Sequence, residues 1–490
     1  MTVRNENLIK TLSIALATVF FLSLLMGTLN TGGRWDLNQQ IDFAQRLLDG
    51  ISSYSNGQTD LLFPSSPYFP GVGYLSYLYS ILGFKDVYLN NVILLITAVF
   101  VGFTLFKLLI KLTSKIYPNI PSNINFLITT IFFATHFRSF IVYMSEFKPD
   151  AILLVIGSLA LFILEKNDKP KTSSLVIVGL LLFCSTFFKQ SFFLIYILIY
   201  ILVILNNFIS IKQKIGIITV FSSIGILALF LMFFNVENLY YYTVKVISKH
   251  EMLTSKEIFH VLRRSFIYNI LFCFSLIYFF CKRYKDFSFK RIETKYFLFA
   301  LIWFLFSLLS AFKIGGNKGN IEVGFIVFIP FVIFAINDIL KNSFQKQLFY
   351  ITTKTILLVG ILSYSYFLFN NTKNYLLKVE KDNESIEFLS KVFENKNVLV
   401  DGNTYIISKK SQMNILTEAE TIAHFNNIPN YDMIKVKNAI DQKTYDLIFL
   451  DEKLDYLNDK EIDKKIYENY DFYSNKNLPP QLKNKILIPK

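Results

Sequence analysis

Long apolar runs, separated by short polar and mostly basic segments, set the pattern of this chain. Many of the runs approach the roughly 20 residues that an α-helix needs to cross a bilayer. They are continuous rather than alternating, which favours helices over the strands of a membrane barrel. The first run has no small-residue cleavage site, so we interpret it as a retained span and not a signal peptide. The pattern predicts about eleven spanning helices, at residues 8–29, 91–113, 123–144, 149–165, 174–188, 190–208, 214–234, 262–281, 295–313, 321–340 and 349–370.

The segment between the first two spans, 30–90, carries two further elements. An amphipathic helix follows Asp36 and ends at Gly50, a residue that commonly stops helices. A second apolar piece, Phe69 to Phe84, is too short to span easily, so we interpret it as a helix at the membrane interface. The apolar face of the first helix is predicted from the spacing of Leu37, Ile41, Ala44 and Leu48, and the polar faces carry Gln39, Gln40, Gln45 and Arg46.

From about Thr372 charged residues become dense and the apolar runs shorten. Residues 397–401 and 446–451 have the pattern of buried strands, and Thr417 to Asn426 has a helical pattern between them. We therefore predict a transmembrane domain at 1–371 and a small α/β domain at 372–490. The fold class is a polytopic α-helical membrane protein of about eleven spans with this α/β domain at its C-terminal end.

Lysine and arginine are concentrated in alternate loops, which indicates the cytoplasmic side. This places the N-terminus in the cytoplasm of a bacterial-type plasma (inner) membrane, and loop 30–90 and the C-terminal domain outside it. Loop 235–261 is also basic and departs from the pattern. The cytoplasmic set is Arg4, Lys10, Lys111, Lys115, Lys166, Lys169, Lys171, Lys212, Lys214, Lys282, Arg283, Lys285, Lys290, Arg291, Lys295, Lys341 and Lys346.

Composition agrees with a membrane protein: 53% of residues are hydrophobic and the mean hydropathy is +0.42. The net charge of +14 is explained by basic loops and anionic lipid, so we expect membrane lipids and no nucleic acid as partners. The cysteines form no CxxC pair and the histidines have no ligand spacing. The sequence therefore assigns no certain cofactor, and it leaves a divalent metal open without indicating one.

Two carboxylates of the first outer loop are candidates for acid–base chemistry. Asp36 either caps the helix that follows it or faces a cavity as a general base. Asp42 lies further along the same helix and is the second choice.

A second outer turn, 146–151, places Asp150 at a helix N-terminus. There it either caps the helix or lines the same cavity as Asp36. Lys189, followed by Gln190, interrupts two apolar runs. This lysine either snorkels to the interface or neutralises a phosphate.

Further candidates come from later in the chain. Arg138 lies inside a predicted span, where a charge is costly and faces a cavity or a partner. The loop 313–320 is rich in glycine and contains Asn317, Lys318 and Asn320. It is either a connector or an anion-binding loop. The stretch 240–250, which ends at His250, is either an interfacial helix or a loop that forms a lid over a bound donor substrate.

In their order and common sidedness, these pieces resemble the GT-C superfamily of polytopic glycosyltransferases, in particular the bacterial branch similar to protein O-mannosyltransferases and aminoarabinose transferases. The resemblance covers roughly residues 8–340. It is carried by Asp36, Leu47-Leu48-Asp49-Gly50, Tyr54, Tyr68-Phe69-Pro70, Tyr74-Leu75, Leu82-Gly83, Lys148-Pro149-Asp150, Lys189-Gln190-Ser191 and the loop at 315–320.

The resemblance implies that a carboxylate of the first outer loop is the catalytic residue, and Asp36 is the matching position. It implies a sugar donor on a polyprenyl phosphate and transfer with inversion. Two features depart from the family: Asp36 is followed by Leu37 instead of a second acid, and Asn320 is followed by Ile321 instead of tyrosine.

The sequence therefore predicts a glycosyltransferase of the outer membrane face, acting on a lipid, polysaccharide or protein acceptor. A flippase of lipid-linked saccharides and a polysaccharide polymerase or ligase are the alternatives. The absence of an internal repeat and the long first outer loop disfavour the flippase. We assign donor phosphate binding to Lys189, Arg138 and Lys318. The predicted cavity is lined by Asp150, Gln190, Tyr68, His250, Asn317 and Asn320.

Overall fold

The computed structural model of the chain is mostly helical. It describes residues 3–30, 43–44, 46–48, 69–84, 87–136, 149–165, 170–235, 239–240, 243–244, 252–283, 285, 287–288, 291–312, 321, 324–340, 343–394, 396–401, 413–416, 434–450 and 460–490. The chain divides into two compact units. The first unit is Met1–Thr28, Leu95–Ala228 and Glu251–Thr372, and the second is Leu29–Leu94, Leu229–His250 and Lys373–Lys490.

Within the described residues, thirteen helices before the first strand have defined bounds and are labelled here in chain order. They are α1 (Val3–Asn30), α2 (Gly71–Ile81), α3 (Val87–Ile116), α4 (Ser122–His136), α5 (Pro149–Leu164), α6 (Thr172–Thr186), α7 (Phe193–Ile204), α8 (Ile211–Asn235), α9 (Ser255–Tyr268), α10 (Ile270–Arg283), α11 (Ile292–Ala311), α12 (Ile329–Ile339) and α13 (Ser343–Val392).

Five of the described helices are long and apolar enough to cross a membrane. The multi-pass helical architecture is therefore as predicted, whereas the count of about eleven is not reproduced among the described residues. Shorter apolar helices, α4, α5, α6, α7 and α12, occupy other predicted spans. The five long segments are Asn7–Gly27, Val92–Ile116, Ile211–Phe234, Ile292–Ala311 and Ile351–Leu377.

The predicted span 262–281 is replaced by two helices that meet at Asn269. The first, α9, is amphipathic, and Thr254 caps it by accepting a hydrogen bond from the backbone of Glu257. The hydrogen bond from the Thr254 side chain holds the pKa of Glu257 below its usual range. Asn269 is buried and its side-chain amide donates to the Ser265 carbonyl over 2.8 Å. The predicted span therefore joined an amphipathic helix, which contains Arg263 and Arg264, to the apolar helix α10.

An ion pair and a hydrogen bond connect the ends of different helices within the first unit. Lys295, in the first turn of α11, forms a 2.9 Å ion pair with Glu165, which follows α5. The Tyr117 hydroxyl donates to Glu293 over 2.8 Å. Both contacts are partly buried, so losing one partner would leave a charge or polar group without compensation.

In the second unit, residues 43–44 and 46–48 are helical. The side chains of Phe43, Ala44 and Arg46 are buried, while Leu48 is exposed. The buried face thus differs from the predicted one, which included Leu48 and placed Arg46 on the polar side. The Phe43 side chain packs against α2. Its ring meets the Tyr74 ring edge to face, with 5.4 Å between the ring centroids.

Gly73 makes this contact possible. A Cβ added there would lie 2.3 Å from the Phe43 ring, so Gly73→Ala forces the phenyl ring or α2 to move. We expect a loss of about 1–3 kcal/mol in the free energy of unfolding, measured by thermal melting of the purified protein. In a Phe43→Ala background the same substitution should cost nothing, because the clash is gone. Gly216→Ala is the control, because no atom lies within 4 Å of its added Cβ. An equal cost of Gly73→Ala in both backgrounds would contradict this packing.

The C-terminal part of the second unit contains a five-stranded sheet with the order β2-β1-β3-β5-β4. β1 is parallel to β2 and β3, and β5 is antiparallel to β3 and β4. Leu389 and Phe393 pack against this sheet. Its elements are β1 (Val398–Asp401), β2 (Met413–Leu416), α14 (Ile434–Asp441), β3 (Leu447–Phe449), α15 (Lys460–Asn469), β4 (Tyr470–Phe472) and β5 (Ile486–Pro489).

Two of these strands, β1 and β3, lie where the sequence predicts buried strands. The helix predicted at Thr417 to Asn426 lies outside the described residues. The other three strands and both helices were not predicted.

Candidate functional site

Asp150 and Lys189, which are 39 residues apart in sequence, form an ion pair with 2.7 Å between Lys189 Nζ and Asp150 Oδ2. The Lys189 side chain is only 20% exposed and the Asp150 side chain 17%. Both residues are candidates from the sequence, one for the cavity and one for a phosphate. The structure brings them together in the first unit.

The local sequence explains where each partner sits. Pro149 begins α5, a position that suits proline because no partner is needed for its missing N–H. Asp150 then lies in the first turn, where the positive end of the helix dipole stabilises a carboxylate. The preference of aspartate for this position accounts for its placement whether or not it has a further role.

Lys189 lies in a break between two apolar helices. α6 ends at Thr186, a 3₁₀ turn spans Gln190–Phe192, and α7 follows at once. Lys189 itself is extended, with φ −162° and ψ 157°. Its carbonyl accepts a hydrogen bond from Phe192 N–H over 3.0 Å. This corner directs the chain into the next helix and leaves the lysine beside the N-terminus of α5.

More polar groups lie at the same corner. Ser191 is 2% exposed, and its hydroxyl has no hydrogen-bond partner within the part of the chain that the structure describes. Thr186 and Tyr196 place their hydroxyl oxygens 3.3 Å apart. A buried hydroxyl without a partner costs about 1–3 kcal/mol, so Ser191 is a position where a water molecule or a ligand oxygen would be favourable.

The arrangement suits an oxyanion better than acid–base chemistry. An ammonium group has three N–H donors, so the bond to Asp150 orients Lys189 without excluding a contact with a phosphate oxygen. Low exposure strengthens that attraction, because water screens it less. The Asp150 carboxylate holds the Lys189 ammonium in place through this bond.

The remaining sequence candidates have different outcomes. Gln190 begins the 3₁₀ turn directly after Lys189. The others lie outside the described residues: Asp36, Asp42, Tyr68, Arg138, His250, Asn317, Lys318 and Asn320.

Two residues were missed by sequence reasoning. Ser191 was noted only as part of a motif, although its place next to Lys189 between apolar runs was a signal. Arg46 is 5% exposed in the second unit, and its position on the predicted polar face concealed it. A buried guanidinium is well suited to bind a phosphate.

Across the described ranges, His, Cys, Asp and Glu side chains do not gather in threes around a point that could hold a metal ion.

No protein-family model and no curated protein sequence matches the chain. Among solved structures, it is similar to ArnT from Cupriavidus metallidurans, solved bound to undecaprenyl phosphate. The TM-score is 0.60, the sequence identity is 10%, and the match covers 97% of each chain. ArnT is an aminoarabinose transferase of the GT-C type. The chain therefore shares the fold of ArnT over almost its whole length, as the sequence resemblance implied.

Proposed function

We propose that this protein is a glycosyltransferase of the plasma membrane. It moves a sugar from a polyprenyl-phosphate-linked donor to an acceptor hydroxyl on the outer face of the membrane, with inversion. The acceptor is a lipid, a polysaccharide or a protein. The observation that carries the proposal is the structural similarity to ArnT, a protein solved with undecaprenyl phosphate bound. This similarity extends over 97% of the chain.

The reaction places two demands on the protein: first a cation near the leaving phosphate, and second a base for the proton of the acceptor hydroxyl. The acceptor oxygen attacks the anomeric carbon while the bond from that carbon to the phosphate oxygen breaks. The leaving polyprenyl phosphate already carries its negative charge well, so it needs a nearby cation more than a proton donor. Attack from the opposite face in one displacement inverts the anomeric centre.

Lys189 supports the first demand. Asp150 holds its ammonium at a distance of 2.7 Å. The buried residue Ser191 follows two positions later in the sequence. This is a preformed place for phosphate oxygens that does not have to reorganise during the reaction. We propose Arg138 and Lys318 as additional cations for the donor phosphate.

The second demand is a base for the acceptor proton. We assign it to Asp36, with Asp42 as second choice, on the sequence resemblance. The carboxylate takes the hydroxyl proton as the new bond forms. Tyr68, Gln190, His250, Asn317 and Asn320 are proposed to line the cavity that holds sugar and acceptor.

A strain that lacks the gene gives the direct test. We expect one polyprenyl-phosphate sugar to accumulate and one surface glycan to lose that sugar, both measured by mass spectrometry. Reintroducing the wild-type gene should restore both. A flippase predicts a different result, in which purified protein in lipid nanodiscs releases no free polyprenyl phosphate from the accumulated donor. Absence of that release with every acceptor fraction would overturn the transferase proposal.

A further inference from the structure

An open apolar cleft of about 760 Å³ lies between α6 and α8, within the first unit. The contributing side chains on α6 include Leu175, Val176 and Leu180, and those on α8 include Ile217 and Val220. Val176, Leu180 and Val220 remain 57%, 60% and 55% exposed. Since α8 is long and apolar enough to cross a membrane, hydrocarbon is the natural filling of this cleft.

Glycines on both helices keep the cleft open. A Cβ at Gly216 of α8 would meet no atom within 4 Å. A Cβ at Gly179 of α6 would lie 3.2 Å from Ile224. The Cβ of a larger residue at Gly216, which lines the cleft, would therefore meet no neighbouring atom.

The length of the cleft matches one leaflet. Its lining runs from Thr172 to Phe183 on α6 and from Gln213 to Ile224 on α8. At 1.5 Å per residue each stretch is about 16 Å long, about half of the ~30 Å hydrocarbon core of a bilayer. A fatty acyl chain fits this length, whereas a polyprenyl chain of many isoprene units is longer than the cleft.

Charge is concentrated at one end. Thr172 and Gln213 line that end, and each directly follows an exposed lysine, Lys171 or Lys212. Both helices also begin there, so their dipoles add positive potential. The far end, at Phe183 and Ile224, is apolar.

The charged end is distinct from the candidate site above. Lys189 follows the C-terminus of α6, while Lys171 precedes its N-terminus. The helix between them is about 22 Å long. The lipid that the cleft selects is therefore not the donor bound at Lys189.

We propose that this cleft is a binding site for an anionic glycerophospholipid. One acyl chain lies between α6 and α8, and the headgroup phosphate contacts Lys171 and Lys212. By the distribution of basic loops, the lipid belongs to the cytoplasmic leaflet. The proposal does not depend on the transferase activity.

Native mass spectrometry of the delipidated full chain tests the site, with phosphatidylglycerol and phosphatidylcholine of identical acyl chains as probes. We expect wild type to retain phosphatidylglycerol about tenfold more tightly than phosphatidylcholine, as basic groups near an anionic headgroup predict. Gly216→Leu should abolish tight retention of both lipids. Leucine is also the better helix former, so its melting temperature should not fall.

The lysines are tested separately. Lys171→Gln/Lys212→Gln should remove the preference for phosphatidylglycerol and keep the weaker binding of both lipids. The matched control is Lys111→Gln/Lys282→Gln, two exposed lysines of the same predicted side whose sequence neighbours do not line the cleft. This variant should keep the preference. Equal retention of the two lipids by wild type, unchanged retention in Gly216→Leu, or displacement of phosphatidylglycerol by undecaprenyl phosphate at equal concentration would each overturn the proposal.

Discussion

Asp36→Asn is expected to abolish sugar transfer while leaving the protein folded and able to bind its donor. Asparagine keeps the shape of the side chain and its ability to cap a helix, but it cannot accept the acceptor proton. A general base contributes about 10²–10⁴-fold to a rate, so transfer should fall by about that factor. In cells complemented with this variant, the donor should accumulate as it does without the gene.

The control is Asp60→Asn, a carboxylate of the same outer loop that no motif singles out. It should restore the glycan fully at equal protein level. If Asp36→Asn restores the glycan as well, Asp36 is only a helix cap. The base must then be sought at Asp42, or the transport alternative must be taken up again.

The helical part of the fold was predictable because burial in lipid demands apolar side chains on every face of a helix. The runs at 8–29 and 91–113 coincide with the long helices α1 and α3 for this reason. The pattern failed where a polar residue is satisfied locally. Asn269 lies between the amphipathic α9 and the apolar α10, and a hydropathy average does not register its bond back to Ser265.

In the C-terminal region, predictability followed strand burial. β1 and β3 are buried between neighbouring strands, so their sequences are continuous apolar runs. β4 is three residues long, Tyr470 to Phe472, with two of its three side chains exposed. Such a strand has too few apolar positions for a pattern, and only its pairing with β5 defines it.

The sequence identified Asp150 and Lys189 separately but could not bring them together. Each had a sufficient local explanation, as a helix cap and as a snorkelling lysine. Their 2.7 Å contact depends on how α5 packs beside the corner between α6 and α7, which is a tertiary property. The contact shows that the Lys189 ammonium meets a carboxylate of the protein, which neither local explanation indicated.

Lys189→Met is expected to lower transfer by about 10²–10³-fold, the usual cost of removing one preorganised charge-stabilising group. It should also destabilise the fold by about 1–3 kcal/mol, since Asp150 loses its partner. Stability alone cannot explain the loss of activity, and a matched pair shows why. Lys295 and Glu165 form a similar partly buried pair at 2.9 Å. Lys295→Met should therefore cause a similar fall in melting temperature and leave transfer per folded molecule unchanged.

The charge swap Asp150→Lys/Lys189→Asp separates the two roles of the pair. An ion pair that only holds α5 to the neighbouring corner works in either direction, apart from about 0.3–1 kcal/mol lost by placing a cation at a helix N-terminus. The swap should therefore regain most of the melting temperature lost in Lys189→Met. Transfer should stay low, because the group at the corner would then be a carboxylate that repels the donor phosphate. Recovery of both stability and transfer in the swap would show that the pair is structural and that the donor phosphate is held elsewhere.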